Sequence, residues 1–227
     1  MRIGVPQEST AGERRVAIVP EAAAKLVSAK HEVIVESGAG LGSGHDDEAY
    51  RKAGATIADR GAVFGADVVV KVQRPAPEEI ALLREGNTLI ATIQPLTNKD
   101  AVRSLAARRT TAFSMDMIPR VTRAQPMDSL SSQSNIAGYK AVLVAASSLP
   151  KFFPMLTTAA GTVTPARVLV LGAGVAGLQA IATARRLGAV VEAFDTRPVV
   201  KEQVQSLGAK FLEIGRASCR ERVYSSV

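Results

Sequence analysis

The chain has 227 residues, 47% of them hydrophobic, only 4% aromatic and none Trp, with a formal net charge of +7. That is enough apolar material for one large or two modest cores. Few aromatic platforms, with Lys and Arg scattered through amphipathic segments, argue against a nucleic-acid partner. The single cysteine, Cys219, excludes an internal disulfide or a cysteine metal cluster, and no metal site is expected. The N-terminus runs directly into a strand without a signal pattern, so a soluble, intracellular α/β protein is expected.

Residues 2–6 form a predicted strand, followed by a polar loop over 7–15 and a second apolar run over 16–19. Pro20 suits the first turn of a helix. Residues 31–36 read as a strand and 46–53 as a helix. A strand follows over 68–72, a helix near 77–83, a strand over 88–93, a helix over 98–108 and a strand over 110–114. Strands alternating with helices imply a mostly parallel sheet with crossover helices. The glycine-rich stretch 37–44 opens no G-x-G-x-x-G helix and reads as a flexible connection. His31 and His45 stand alone, with no partner at ligand or triad spacing, and take surface or cap roles.

Residues 115–135, MDMIPRVTRAQPMDSLSSQSN, are polar, proline-broken and too irregular for a core element. Arg120, Arg123, Gln125, Asp128 and Ser131 bring cationic, amide, carboxylate and hydroxyl groups into a short span. That chemistry suits an amide, a ribose or a phosphate. By spacing alone a merely solvated loop fits equally well. An apolar helix is predicted over 135–148, packed between two domains, with 161–165 closing the linker.

Residues 168–195, VLVLGAGVAGLQAIATARRLGAVVEAFD, carry the strongest local pattern. The run Val168-Leu169-Val170-Leu171 has no polar face and reads as a strand buried on both sides. Gly172, Gly174 and Gly177 then fit G-x-G-x-x-G. The first allows a tight turn, the second close approach of a pyrophosphate, and the third tight helix–strand packing. The helix opening at Val175 and Ala176 offers unpaired N–H groups and a positive dipole end to phosphates. A second strand ends at Asp195, about twenty residues beyond the glycines, where a carboxylate accepts the adenosine ribose hydroxyls. Thr196 and Arg197 follow at the same rim. Asp195 favours NAD over NADP, while Arg197 keeps NADP open.

Three stretches together, MRIGVPQE…GERRVAIVPE, IPRVTRAQPMDSLSSQSNIAGYKAV and AAGTVTPARVLVLGAGVAGLQAIATARRLGAVVEAFD, resemble the alanine dehydrogenase and transhydrogenase-α family. The likeness covers residues 1 to 212, and the middle motif is the specific one. Within the family the chain is most similar to the NAD(H)-binding part of the transhydrogenase branch. Alanine dehydrogenases carry a substrate lysine and an acid/base histidine where this chain has Gln73 and Gln94. An amide neither shuttles protons near neutral pH nor supplies a lysine's charge. Arg15 matches the family's substrate-carboxylate arginine but cannot run a deamination alone. The resemblance implies direct hydride transfer from NADH on this chain to NADP⁺ on a partner domain or subunit. Membrane-spanning subunits would couple that transfer to proton translocation, placing the chain in the cytoplasm at the periphery of the inner membrane. A homodimer of the complete domain is implied as well. Gln125 and Asp128 are then the catalytic candidates, Gln125 near the two ribose-nicotinamide units. Arg120, Asp128 and Ser131 orient the carboxamide, and Val121, Thr122 and Arg123 are further expected cofactor-binding residues. An alanine-dehydrogenase-like oxidoreductase and a non-catalytic nucleotide-binding module are the alternatives.

The expected fold class is α/β with two Rossmann-like parallel-sheet domains, the second incomplete. Residues 1–134 form the first domain, including the nicotinamide-positioning loop 115–134. Residues 135–165 link it to the first half of an NAD-binding domain at 166–212. Residues 213–227, EIGRASCRERVYSSV, lack helical or strand period and resemble the translation of a sequencing adapter, so a non-native tail is expected, with Cys219 an accident of it. The 227-residue chain is accordingly predicted to be inactive alone. Reduction of an NADP analogue by NADH, in a mixture of the purified chain with an NADP(H)-binding partner, would overturn that.

Overall fold

The computed structural model describes residues 1–213, and the expectations for the tail, Cys219 included, lie outside them. The chain forms two compact units, Met1–Asp128 and the residues from Ser129 onward. The first holds six parallel strands: β1 (Arg2–Val5), β2 (Glu32–Glu36), β3 (Thr56–Ala58), β4 (Val68–Val70), β5 (Thr88–Ala91) and β6 (Thr111–Ser114). Helices α1 (Pro20–Ser28), α2 (Asp47–Lys52), α3 (Arg60–Phe64), α4 (Pro77–Leu82) and α5 (Lys99–Ala107) intervene. Local chemistry sets their starts. Pro20 occupies the first turn of α1, and the Asp46 and Asp59 carboxylates accept from Ala49 N and Ala62 N to cap α2 and α3. The run over 16–19 is not a strand; Val16 and Ile18 instead drop into the core beside Val5 and Val35.

The strand order is β3-β2-β1-β4-β5-β6, so the chain reverses direction across the sheet between β1 and β4. Such a switch point leaves a crevice beyond the carboxyl ends of the two strands. Buried charges fill its floor. Lys71 Nζ, at the end of β4, donates to Glu79 Oε2 at 2.6 Å and lies 3.7 Å from Glu8 Oε2. Glu79 also pairs with Arg60, which reaches Glu36 and lies over the Phe64 ring. Burial pushes the Glu8 carboxyl up, against the pull of the Lys71 ammonium. For Glu79 burial acts the same way, but Lys71 and the Ala76 N–H outweigh it and leave the carboxyl below its ordinary value. Glu8 in turn accepts from Val72 N at 2.6 Å and from Gln73 N at 3.3 Å, tying the loop after β1 to the end of β4.

The second unit opens with α6 (Ser129–Ser148), six residues earlier than the sequence pattern indicates. A short hairpin of β7 (Leu156–Thr158) and β8 (Gly161–Val163) follows. Then come β9 (Arg167–Leu171), α7 (Val175–Arg186), β10 (Val190–Phe194), α8 (Lys201–Ser206) and β11 (Lys210–Phe211). The three-stranded sheet is parallel, in the order β11-β10-β9. Val142 of α6, Ile181 and Ala184 of α7 and Val204 of α8 share one cluster with Val170, Val191 and Ala193 of the sheet. Only that face of β9 is covered among the described residues. Leu169 is 55% and Leu171 73% exposed, so the expectation of a strand buried on both sides is corrected. Gly138 lets α6 approach α7 closely, since a Cβ there would lie 2.1 Å from the Ala176 carbonyl oxygen.

Two stability tests follow from this packing. Lys71→Met leaves two buried carboxylates without their ammonium and is expected to cost about 3–5 kcal/mol in urea unfolding. A loss below about 1 kcal/mol would show that the carboxylates are neutral or solvated. Gly138→Ala must push α6 away from α7, with an expected cost of about 1–3 kcal/mol. An unchanged unfolding midpoint would contradict the close helix approach.

Candidate functional site

The turn between β9 and α7 is built as its sequence requires. Gly172 has φ of +96°, a conformation that L side chains rarely adopt. A Cβ on Gly177 would lie 1.7 Å from the Gly172 carbonyl oxygen, so helix and turn meet with no space for a side chain. At Gly172 and Gly174 the opposite holds: nothing lies within 4 Å of where a Cβ would stand. The turn is thus closed toward the helix and open toward solvent. Gly174 N-caps α7 without a side-chain bond, leaving the first N–H groups of Val175 and Ala176 at an uncapped helix end. An anionic pyrophosphate fits this arrangement.

Asp195, just past β10, faces the same turn. Its Oδ2 accepts from Ala173 N at 2.7 Å and from Arg197 Nη2 at 3.1 Å, and its Oδ1 from Arg197 N at 2.8 Å and Nε at 3.0 Å. The Arg197 side chain, followed by the two backbone N–H groups, holds this carboxyl well below the usual range, so it is ionised at neutral pH. Leu171, Gly172, Phe194, Asp195 and Thr196 line a cavity of about 350 Å³ beside it. Of the expected residues, Gly172, Asp195 and Thr196 line this crevice; Arg197 bonds the Asp195 carboxylate, and Gly174, Val175, Ala176 and Gly177 form the helix start beside Ala173, which the same carboxylate holds.

The second group of expected site residues belongs to the first unit and its junction with α6. Arg120, Val121, Thr122, Arg123 and Gln125 are exposed, the last three on a 3₁₀ stretch, Thr122–Met127. Ala124 is the buried residue that anchors this stretch. Asp128 ends the first unit, and Ser131 sits in the first turn of α6 rather than in a loop. Both are half-buried and engaged by polar or electrostatic partners.

A third constellation lies at the β1/β4 switch point. Ser9, Thr10, Gln73, Arg74, Thr92 and Gln94 line a cavity of about 330 Å³ with Pro75, Ala76 and Pro77. Gln73 Nε2 donates to Glu13 Oε2 at 2.8 Å, and Arg15 bonds both oxygens of the same carboxylate. Arg15 thereby holds the Glu13 carboxyl down at about 2. Sequence reasoning named Gln73, Gln94 and Arg15 but missed Glu13, which joins two of them, and the Lys71–Glu8–Glu79 floor. A lysine directly after the apolar run Val68-Val69-Val70 was the available signal, because a charge beside a buried strand needs a partner. Among the described residues no cluster of His, Cys, Asp or Glu is arranged to hold a metal ion. Nor is any described helix long and apolar enough to cross a membrane.

Comparison with known proteins agrees with this geometry. The alanine dehydrogenase/PNT N-terminal domain profile matches residues 4–137, and the C-terminal domain profile of the same family matches residues 141–226. The first section of the split NAD(P) transhydrogenase subunit alpha of Rhodospirillum rubrum is 55% identical over 94% of this chain. The chain spans 58% of that relative's length. The crystal structure of transhydrogenase from Sinorhizobium meliloti matches with a TM-score of 0.92 at 51% identity, over 94% of this chain and 64% of that one. Alanine dehydrogenase of Bacillus subtilis (strain 168) is more distant, 36% identical over 86% of this chain and 52% of its own length. The chain belongs to the alanine dehydrogenase/PNT family.

Proposed function

We propose that this chain is the NAD(H)-binding component of a proton-translocating NAD(P) transhydrogenase, passing hydride from NADH to NADP⁺ held by a partner domain or subunit. The observation that carries the choice within the family is the pair of amides, Gln73 and Gln94, lining one cavity. Oxidative deamination needs a proton shuttle and a cation for the substrate carboxylate. Neither amide supplies them, and Arg15 is already committed to Glu13. Direct transfer between two nicotinamides needs neither. It needs two rings held close in a fixed orientation with water excluded.

In this reading the α7 N-terminus and the bare backbone at Gly172 and Gly174 hold the pyrophosphate, and Asp195 takes the adenosine ribose. Bound NADH supplies the hydride. Gln125 and Asp128 act at the reacting end, with Arg120 and Ser131 fixing the carboxamide and Val121, Thr122 and Arg123 completing the surface around it. The partners are NADP(H)-binding and membrane-spanning subunits, with the chain at the cytoplasmic periphery of the membrane and the complete domain a homodimer. The 55% identity to a transhydrogenase subunit supports the reading of the chain as such a component and of other transhydrogenase subunits as its partners.

Titration of the chain with NADH tests the reading. Binding is expected, with NADPH weaker. Gly174→Ala should leave thermal stability unchanged, because its Cβ meets open space at φ −81°. The same change should weaken NADH by roughly tenfold, the worth of one lost charge-assisted hydrogen bond. No NADH affinity even in the complete protein, or pyruvate- and ammonia-dependent NADH oxidation by it, would sink the transhydrogenase assignment.

A further inference from the structure

A carboxylate offers about four acceptor positions. All four on Asp195 are taken by protein donors: Ala173 N, Arg197 N, and Nε and Nη2 of Arg197. Two of these donors are backbone groups, Ala173 N in the glycine turn and Arg197 N two residues beyond the acid itself. The other two come from a side chain that is 57% exposed, bound to a carboxylate only 7% exposed. A ribose approaching through the cavity at Gly172, Asp195 and Thr196 therefore finds no free oxygen to accept its hydroxyls. The guanidinium fork is the donor pair that gives way, because it is exposed, whereas Ala173 N is held in the glycine turn and Arg197 N in the short 195–197 segment.

We infer that Arg197 is the specificity-determining residue of this crevice, a built-in competitor that occupies the ribose positions of Asp195 and is displaced when the adenosine ribose binds. The inference rests on reading residues 172–195 as the adenosine site. Displacement leaves the guanidinium at the rim, one residue beyond Thr196. There it lowers affinity for a plain ribose, which must break the ion pair, and raises tolerance for a 2′-phosphate, which it can bind as a fork. Arg197 thus narrows the preference that Asp195 creates. Lysine at this position would keep the positive charge but could not span both carboxylate oxygens.

The test uses adenosine-end probes, ADP-ribose and 2′-phospho-ADP-ribose, titrated calorimetrically against the purified chain and its Arg197→Ala and Arg197→Lys variants. Arg197→Ala is expected to tighten ADP-ribose by roughly two- to fivefold, the worth of an exposed ion pair. The same variant is expected to weaken the 2′-phosphorylated probe by roughly tenfold, one lost charge-assisted contact. Arg197→Lys should fall between on both probes. Weaker ADP-ribose binding in Arg197→Ala, or no change with either probe, would overturn the proposal. Failure of the unsubstituted chain to bind ADP-ribose would instead remove the adenosine-site reading beneath it.

Discussion

The second unit depends on one steric constraint: the Gly172 carbonyl lies where a Cβ of residue 177 would be. That contact sets how closely α7 follows β9, and so where the first free N–H groups of the helix point. The Asp195 carboxylate reinforces the arrangement from the other side by accepting from Ala173 N, which ties the end of β10 into the same turn. A packing contact and a charge-assisted hydrogen bond therefore hold one short segment from opposite directions. The geometry is set before any ligand arrives, which lowers the ordering cost of binding.

The first unit reaches a comparable end by other means. Its strand order gives a switch-point crevice without a glycine turn, and the loops around it are held by charge. Glu8 bonds the backbone after β4, and Lys71 and Arg60 satisfy the carboxylates beneath. Buried ions of this kind contribute little net stability against a well-packed apolar core, but they tolerate few alternative loop arrangements. Two glutamines, Gln73 and Gln94, line that crevice, and the proposed choice of chemistry within the family rests on them.

The glycine crevice is readable from the sequence because it is local: glycines, helix start and acid follow one another within 24 residues, from 172 to 195. The β1/β4 crevice is not. Glu13 meets Gln73 across 60 residues and Glu8 meets Val72 across 64, contacts made by parallel crossovers and not by spacing. The elements that the pattern does not reveal, β3, α3, β7, β8 and α8, have three to six residues each, too few to show a period. The start of α6 is hidden because Ser129, Ser131, Ser132 and Ser134 favour caps and turns when judged by residue type alone. The exposed face of β9 escapes prediction because a continuous apolar run records what a strand can bury, not how many layers cover it.

On the proposed reading of the glycine crevice, the anchor and its competitor stand two positions apart, and that spacing has an evolutionary consequence. The acid is bound into the turn, and Gly177 beside it accepts no side chain, so neither can drift without damage to the fold. Position 197 is solvent-facing and free of such demands, which makes it the inexpensive place for a lineage to retune its choice of coenzyme. Descendants of one scaffold can then diverge in redox currency through a single codon while the architecture stays put.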